Sequence, residues 1–189
     1  ADNGGFAKTV MPAPNSPAVN KGNASTPSTC MATDQRGIPR PQAGRCDIGA
    51  IERKPNITLS VAVTGDAANS VSASTSSLLV TGGINNCTST GGTNCAAAYD
   101  GEASTPAAIT LTAVAAAGYS FTGWGNACSA AGTSTTANVT MDVARTCSAS
   151  FSINSYTVAG TVSGLNGSGL RLNLNAGGSN EFINVPSGA

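Results

Sequence analysis

Apolar and small polar residues alternate one by one along this chain, and that alternation limits its fold more than any other feature. In "ITLSVAV", Ile57, Leu59, Val61 and Val63 fall on one side and Thr58, Ser60 and Ala62 on the other. "AITLTAVAAAGYSFTGW" does the same with Ile109, Leu111 and Ala113, turns at Gly118 and resumes with Tyr119 and Phe121. "ANVTMDV" and "CSASFSI" supply two shorter stretches of the same kind. Successive side chains of a strand point to opposite faces, so a repeat of two residues makes one face for a core and one for water. Clusters of Gly, Asn and Ser between the stretches mark hairpin turns. The Ala-rich "AVAAAG" suits a helix by propensity, yet its β-branched neighbours and closing glycine favour strand and turn. The chain is expected to be all-β, with almost no helix.

Composition narrows the function classes. At 189 residues there is room for one to three small domains with a modest core. Charged residues make up 10%, against about 25% in an ordinary soluble protein, and nine basic side chains balance nine acidic ones. No net charge recruits a polyanion, so a nucleic-acid partner is not expected. No apolar run approaches the ~18 residues of a membrane span. Histidine is absent, which removes the commonest general base and the usual zinc ligand. The six cysteines, at 30, 46, 87, 95, 128 and 147, include no CxxC pair, so zinc ribbons and thioredoxin-like redox sites are disfavoured. No cofactor or metal is expected. Spacings of 16, 8 and 19 read as three local disulfides rather than free thiols. That places the chain in an oxidising compartment, secreted, periplasmic or at a cell surface. It opens "ADNGGFAKTV" and stops "FINVPSGA". The expectation is an internal section of a longer polypeptide, with removal of a signal peptide as the alternative.

Charge divides the chain. Residues 1–54 carry eleven of the eighteen charged side chains and six of the nine prolines. A boundary is expected at Arg53 to Pro55, and a third segment opens at Ser155. There "YTVAGTV" and "GLRLNLN" are strand signals, the latter with Leu170, Leu172 and Leu174 on one face. Between them, Gly164, Gly167 and Gly169 imitate a phosphate-cradling loop, but no helix pattern follows, so a turn is the better reading.

The densest charge lies in "DQRGIPRPQAGRCDIGAIE", Asp34 to Glu52. Pro39 and Pro41 lack an N–H and end a strand ladder. Arg36, Arg40 and Arg45 can fork onto carboxylates or carbonyls, with Asp34, Asp47 and Glu52 as the available acids. A carboxylate pair for glycoside or lyase chemistry is the competing reading. The abundance of arginine–acid pairing favours structural hardware.

Together with "DNGG" at Asp2–Gly5 and "NSPAVNKG" at Asn15–Gly22, this stretch resembles the C-terminal end of bacterial right-handed parallel β-helix proteins, the choice-of-anchor Q domain. The resemblance covers residues 1–53. It implies last rungs and a cap over an open solenoid end, with Asp34, Arg36, Arg40, Asp47 and Glu52 in structural roles. "AITLTAVAAAGYSFTGWGNACS" and "ANVTMDVARTCSASF" resemble the divergent internalin-type B-repeat of bacterial surface proteins. That family implies a small β-grasp-type module over 54–154, acting as a spacer or interaction unit without catalytic residues. Where many members carry a cysteine before the "VTM" strand, this chain has Ala137, and Cys147 in the closing strand supplies the partner instead. Residues 155–189 resemble the start of an immunoglobulin-like, β-sandwich-type surface repeat.

With each cysteine pair inside one segment, the expected bonds are Cys30–Cys46, Cys87–Cys95 and Cys128–Cys147. Trp124, the only tryptophan, is either an exposed carbohydrate platform or, better, a core filler beside Phe121 and Phe151. The expected function is a non-catalytic structural or adhesive section of a large secreted or cell-surface bacterial protein. Its partners would be other modules of the same chain, copies of itself in a fibre or sheath, or surface glycans. The alternatives are a glycan-binding module, or the non-catalytic tail of a β-helix polysaccharide-degrading enzyme.

Overall fold

In a computed structural model of the protein the described residues are 2–22, 30–91, 94–157, 159–164, 166–167, 170–176 and 179–185. Among them the strands are β1 (Ile57–Thr64), β2 (Ser70–Ala73), β3 (Leu79–Ile84), β4 (Cys95–Tyr99), β5 (Ala107–Val114), β6 (Tyr119–Asn126), β7 (Thr136–Met141), β8 (Arg145–Ile153), β9 (Leu170–Ala176) and β10 (Ser179–Val185). The one helical piece among them is a single 3₁₀ turn at Ser129–Ala131. The protein is all-β.

Two sheets face each other across one core. The larger has the order β3-β4-β1-β8-β6 and the smaller β2-β5-β7. Its centre is the parallel pair β1–β8, and every other pairing is antiparallel. Alternation decides which atoms meet. Leu59, Val61 and Val63 of β1 turn inward with Ala97 and Tyr99 of β4 and with Cys147, Ala149 and Phe151 of β8. Ile109, Leu111 and Ala113 of β5 and Ala137, Val139 and Met141 of β7 close on them from the other sheet. Each fully buried aliphatic side chain of this kind contributes about 1.5–3 kcal/mol.

Strands β2, β3 and β4 lack the alternation that marks the others. β2 is only four residues long, β4 reads "CAAAY", and β3 contains Gly82 and Gly83. Gly82 has φ +74°, and a Cβ there would lie 2.5 Å from the Ala96 carbonyl oxygen. Close backbone approach beside the register shift at Leu79/Thr81 therefore requires glycine.

Residues 1–54 form a different texture. Their described part holds only the isolated bridges Thr33↔Pro39 and Ala43↔Arg45, and no rung of a parallel β-helix is formed there. A rung needs a ladder of backbone partners, whereas here many backbone N–H groups are claimed by side-chain carboxylates. This segment belongs with the two sheets to one unit, Ala1–Asn154, while Ser155–Ala189 forms a second.

In the second unit β9 and β10 pair antiparallel from Leu170↔Val185 to Ala176↔Ser179. "FINV" lies in β10, whereas the described part of "YTVAGTV", a strand signal in the sequence, is not a strand. A strand forms only with a partner, and the neighbour closest in sequence is the cheapest to reach. Leu172 is 46% exposed, and the Arg171 guanidinium lies 3.4 Å over the Phe182 ring centroid, a cation–π contact. Gly169, one of the three loop glycines, lies outside the described residues.

Candidate functional site

Two clusters gather the chemistry-bearing side chains of the first unit. In the stretch 34–52 three buried carboxylates do what a sheet ladder does elsewhere. Asp34 Oδ1 accepts from the backbone N–H groups of Arg36 at 2.7 Å and Ile38 at 3.0 Å, and its Oδ2 accepts from that of Glu52 at 2.9 Å. Asp47 accepts from the N–H groups of Asn20 and Arg53, each at 2.7 Å. Glu52, 0% exposed, accepts from Gln42 at 2.9 Å and Asp47 at 2.8 Å. Such charge-assisted bonds satisfy donors that a coil would otherwise bury unpaired.

The arginines complete the lattice. Arg36 pairs with Asp34 at 2.9 Å and Glu102 at 3.1 Å, and donates to the Glu52 carbonyl at 2.5 Å. Arg40 donates to the Gly49 carbonyl at 2.8 Å, and its Nε lies 3.8 Å from Glu52. Arg45 is exposed. Burial alone would raise the Asp34 carboxyl, but the bonds from Glu52, Ile38 and Arg36 outweigh it and hold the group below its ordinary value. Burial works likewise against the Arg36 cation, and Glu102 with Asp34 overcomes it, so its value is raised.

Sequence reasoning missed the far partners. Arg53 is buried, donates to the Pro12 carbonyl at 2.8 Å, and pairs with Asp100. Glu102 takes both Arg36 and the Lys54 N–H, the latter at 2.5 Å. Asp100 and Glu102 are the only acids between Asp66 and Asp142, the one signal that could have singled them out.

The second cluster centres on Trp124. It is 7% exposed, and its Nε1–H donates to the Ser134 carbonyl at 2.7 Å. Phe121 meets it edge-on at 5.3 Å and meets Phe151 at 5.2 Å. The indole therefore offers no open face for stacking a sugar. Around it the disulfide Cys128–Cys147 ties the turn after β6 to β8, and Cys87–Cys95 ties the start of β4 to the chain ahead of it. Cys30–Cys46 closes the carboxylate-stitched segment. Among the described residues no group of three or more Cys, Asp or Glu side chains could hold a metal ion.

Residues 83–155 match the divergent InlB B-repeat domain. The matched stretch ends with β8 and contains the Trp124 cluster and two of the disulfides. It begins after β1, although β1 lies between β4 and β8 in the sheet, so the folded module starts earlier than the match. No curated protein and no solved structure matches the chain.

Proposed function

We propose that this chain is a non-catalytic structural or adhesive section of a large secreted or cell-surface bacterial protein, in which the B-repeat module spaces or joins neighbouring parts. The observation that carries the reading is the match at residues 83–155 falling on a small two-sheet module clasped by Cys87–Cys95 and Cys128–Cys147. Disulfides of this kind persist in oxidising compartments. The parallel pairing of β1 with β8 at the sheet centre supports a grasp-type layout for the module.

For residues 1–53 the reading is a cap of the kind that closes a β-helix end, the described part holding isolated bridges and no rung. Its support is that Asp34, Arg36, Arg40, Asp47 and Glu52 bond to backbone and to one another. The same bonds argue against a catalytic carboxylate pair, because each acid already accepts from buried donors. A glycan platform at Trp124 would need an open indole face, and the residue is 7% exposed.

Surface labelling tests the proposal. Intact cells of the source bacterium are shaved with protease, and the released peptides are mapped without reduction. Peptides joined through Cys128–Cys147 in the shaved fraction are the expected result. Recovery of the chain only from the cytoplasm, with its thiols free to alkylate, would overturn it.

A further inference from the structure

A spacer that joins parts of a surface protein transmits pull along its own chain, and the topology shows how this one would take it. Strands β1 and β8 are the first and last of the module, and they lie side by side and parallel through six pairs, Leu59↔Arg145 to Thr64↔Ser150. The chain reaches β1 through residues 1–56 and leaves β8 toward the second unit. Traction applied there draws the start of β1 one way and the end of β8 the other. In a parallel pair those two points lie at opposite ends of the ladder. Sliding must then strain all its hydrogen bonds together, whereas opening from one end breaks them in turn.

We propose that the β1–β8 pair is a shear clamp that makes the module resist tension, with Cys128–Cys147 limiting its extension after the clamp yields. This rests on the spacer reading. The clamp sits where sliding is opposed most: its inner face carries Val61, Val63, Cys147 and Ala149, all buried in the shared core. Flanking strands brace both sides, β4 on β1 and β6 on β8. Each brace is itself pinned, β4 by Cys87–Cys95 at its first residue and β6 by Cys128–Cys147, which joins the turn after it to β8. Cys147 is the partner of Val61 within the clamp, so the disulfide acts where the load passes. Upstream, Arg53 with Asp100 and Arg36 with Glu102 fasten the approach to β1 onto the turn after β4.

Optical tweezers on the full chain of residues 1–189 test this in two geometries. In the first, handles are attached at the two chain ends. In the second, the N-terminal handle stays and the other is attached through a click-reactive side chain at Val143, which is 55% exposed and precedes the start of β8. The second geometry peels the pair from one end. The end-to-end pull should rupture at severalfold higher force than the peel; equal forces would overturn the clamp. In a Cys128→Ser/Cys147→Ser chain the end-to-end rupture step should lengthen by roughly 60 Å, since 19 residues at ~3.3–3.6 Å each replace a bridge of 5.2 Å between Cα atoms. Should that variant not fold, adding reductant to the held, folded wild-type chain must lengthen the step by at least as much, and an unchanged step overturns the limiting role. Cytoplasmic recovery of the chain would remove the spacer reading and leave the clamp standing, whereas equal rupture forces would do the reverse.

Discussion

Trp124 shows how a single side chain organises a module poor in large residues. Residues 57–153 contain five aromatics, and three of them, Phe121, Trp124 and Phe151, form one edge-to-face stack. The indole also satisfies the Ser134 carbonyl at 2.7 Å, so its loss removes both volume and a hydrogen bond. Trp124→Ala should destabilise the first unit by about 3–5 kcal/mol, read by chemical denaturation. Native emission should be blue-shifted, poorly quenched by acrylamide, and red-shifted on unfolding. Arg36→Ala should cost about 1–3 kcal/mol, because it strands Asp34 and Glu102 and frees the Glu52 carbonyl. Asp34 is held below its unfolded value, so its contribution is present above about pH 4 and is lost as pH falls through the depressed folded value. Asp34→Asn should therefore flatten the acid limb of melting temperature against pH. The pair Asp142–Arg145, on the surface, should matter little to stability.

At the scale of elements, turns and junctions hold the sheets in register. Gly123, with φ +148°, sits at the register shift between Phe121 and Gly123 that lets β6 present both Phe121 and Trp124 to the stack. Gly101 lies against the chain just before β1: a Cβ there would be 2.1 Å from the Pro55 carbonyl oxygen. Gly101→Val should push that junction away and loosen the neighbouring bonds of Arg53 and Lys54, lowering stability by about 1–3 kcal/mol. Faster amide exchange at Lys54 and Asn56, with the β5–β7 ladder unchanged, would be its signature. Loss of Cys128–Cys147 should remove on the order of 3 kcal/mol in the chain-entropy account.

For the whole molecule, the first unit joins two textures through a few long-range bonds. The charged coil in the described part of residues 1–54 is anchored to a nearly uncharged sandwich by Arg36–Glu102, Arg53–Asp100 and the Lys54 N–H on Glu102. Deleting residues 1–53 should leave the sandwich folded but less stable, since it exposes Asp100 and Glu102 without their arginines. Differential scanning calorimetry of residues 54–189 beside the full chain would show a lower melting temperature for the shorter one. An unchanged melt would mean that the coil rides on the module without supporting it. Brief proteolysis should cut between Asn154 and Leu170, where the described side chains are mostly exposed, and leave residues 1–154 as the surviving fragment.

What the sequence determined by itself was everything that depends on near neighbours. Alternation in 57–63, 107–113 and 137–141 sets which side chains face inward, because a two-residue repeat needs only the chain's own geometry. Absence of histidine and scarcity of charge narrowed the chemistry in the same local way. Tertiary structure decided the rest. The short strands β2, β3 and β4 carry little pattern: β2 and β4 form on the longer β5 and β1, and β3 forms on β4. The stretch 34–54 became a stitched coil because carboxylates took the backbone donors that a ladder would have used. The partners of Arg36 and Arg53, 66 and 47 residues away, and the pairing of β1 with β8 across the whole module, are set by loop closure and core packing, which no stretch of sequence contains on its own.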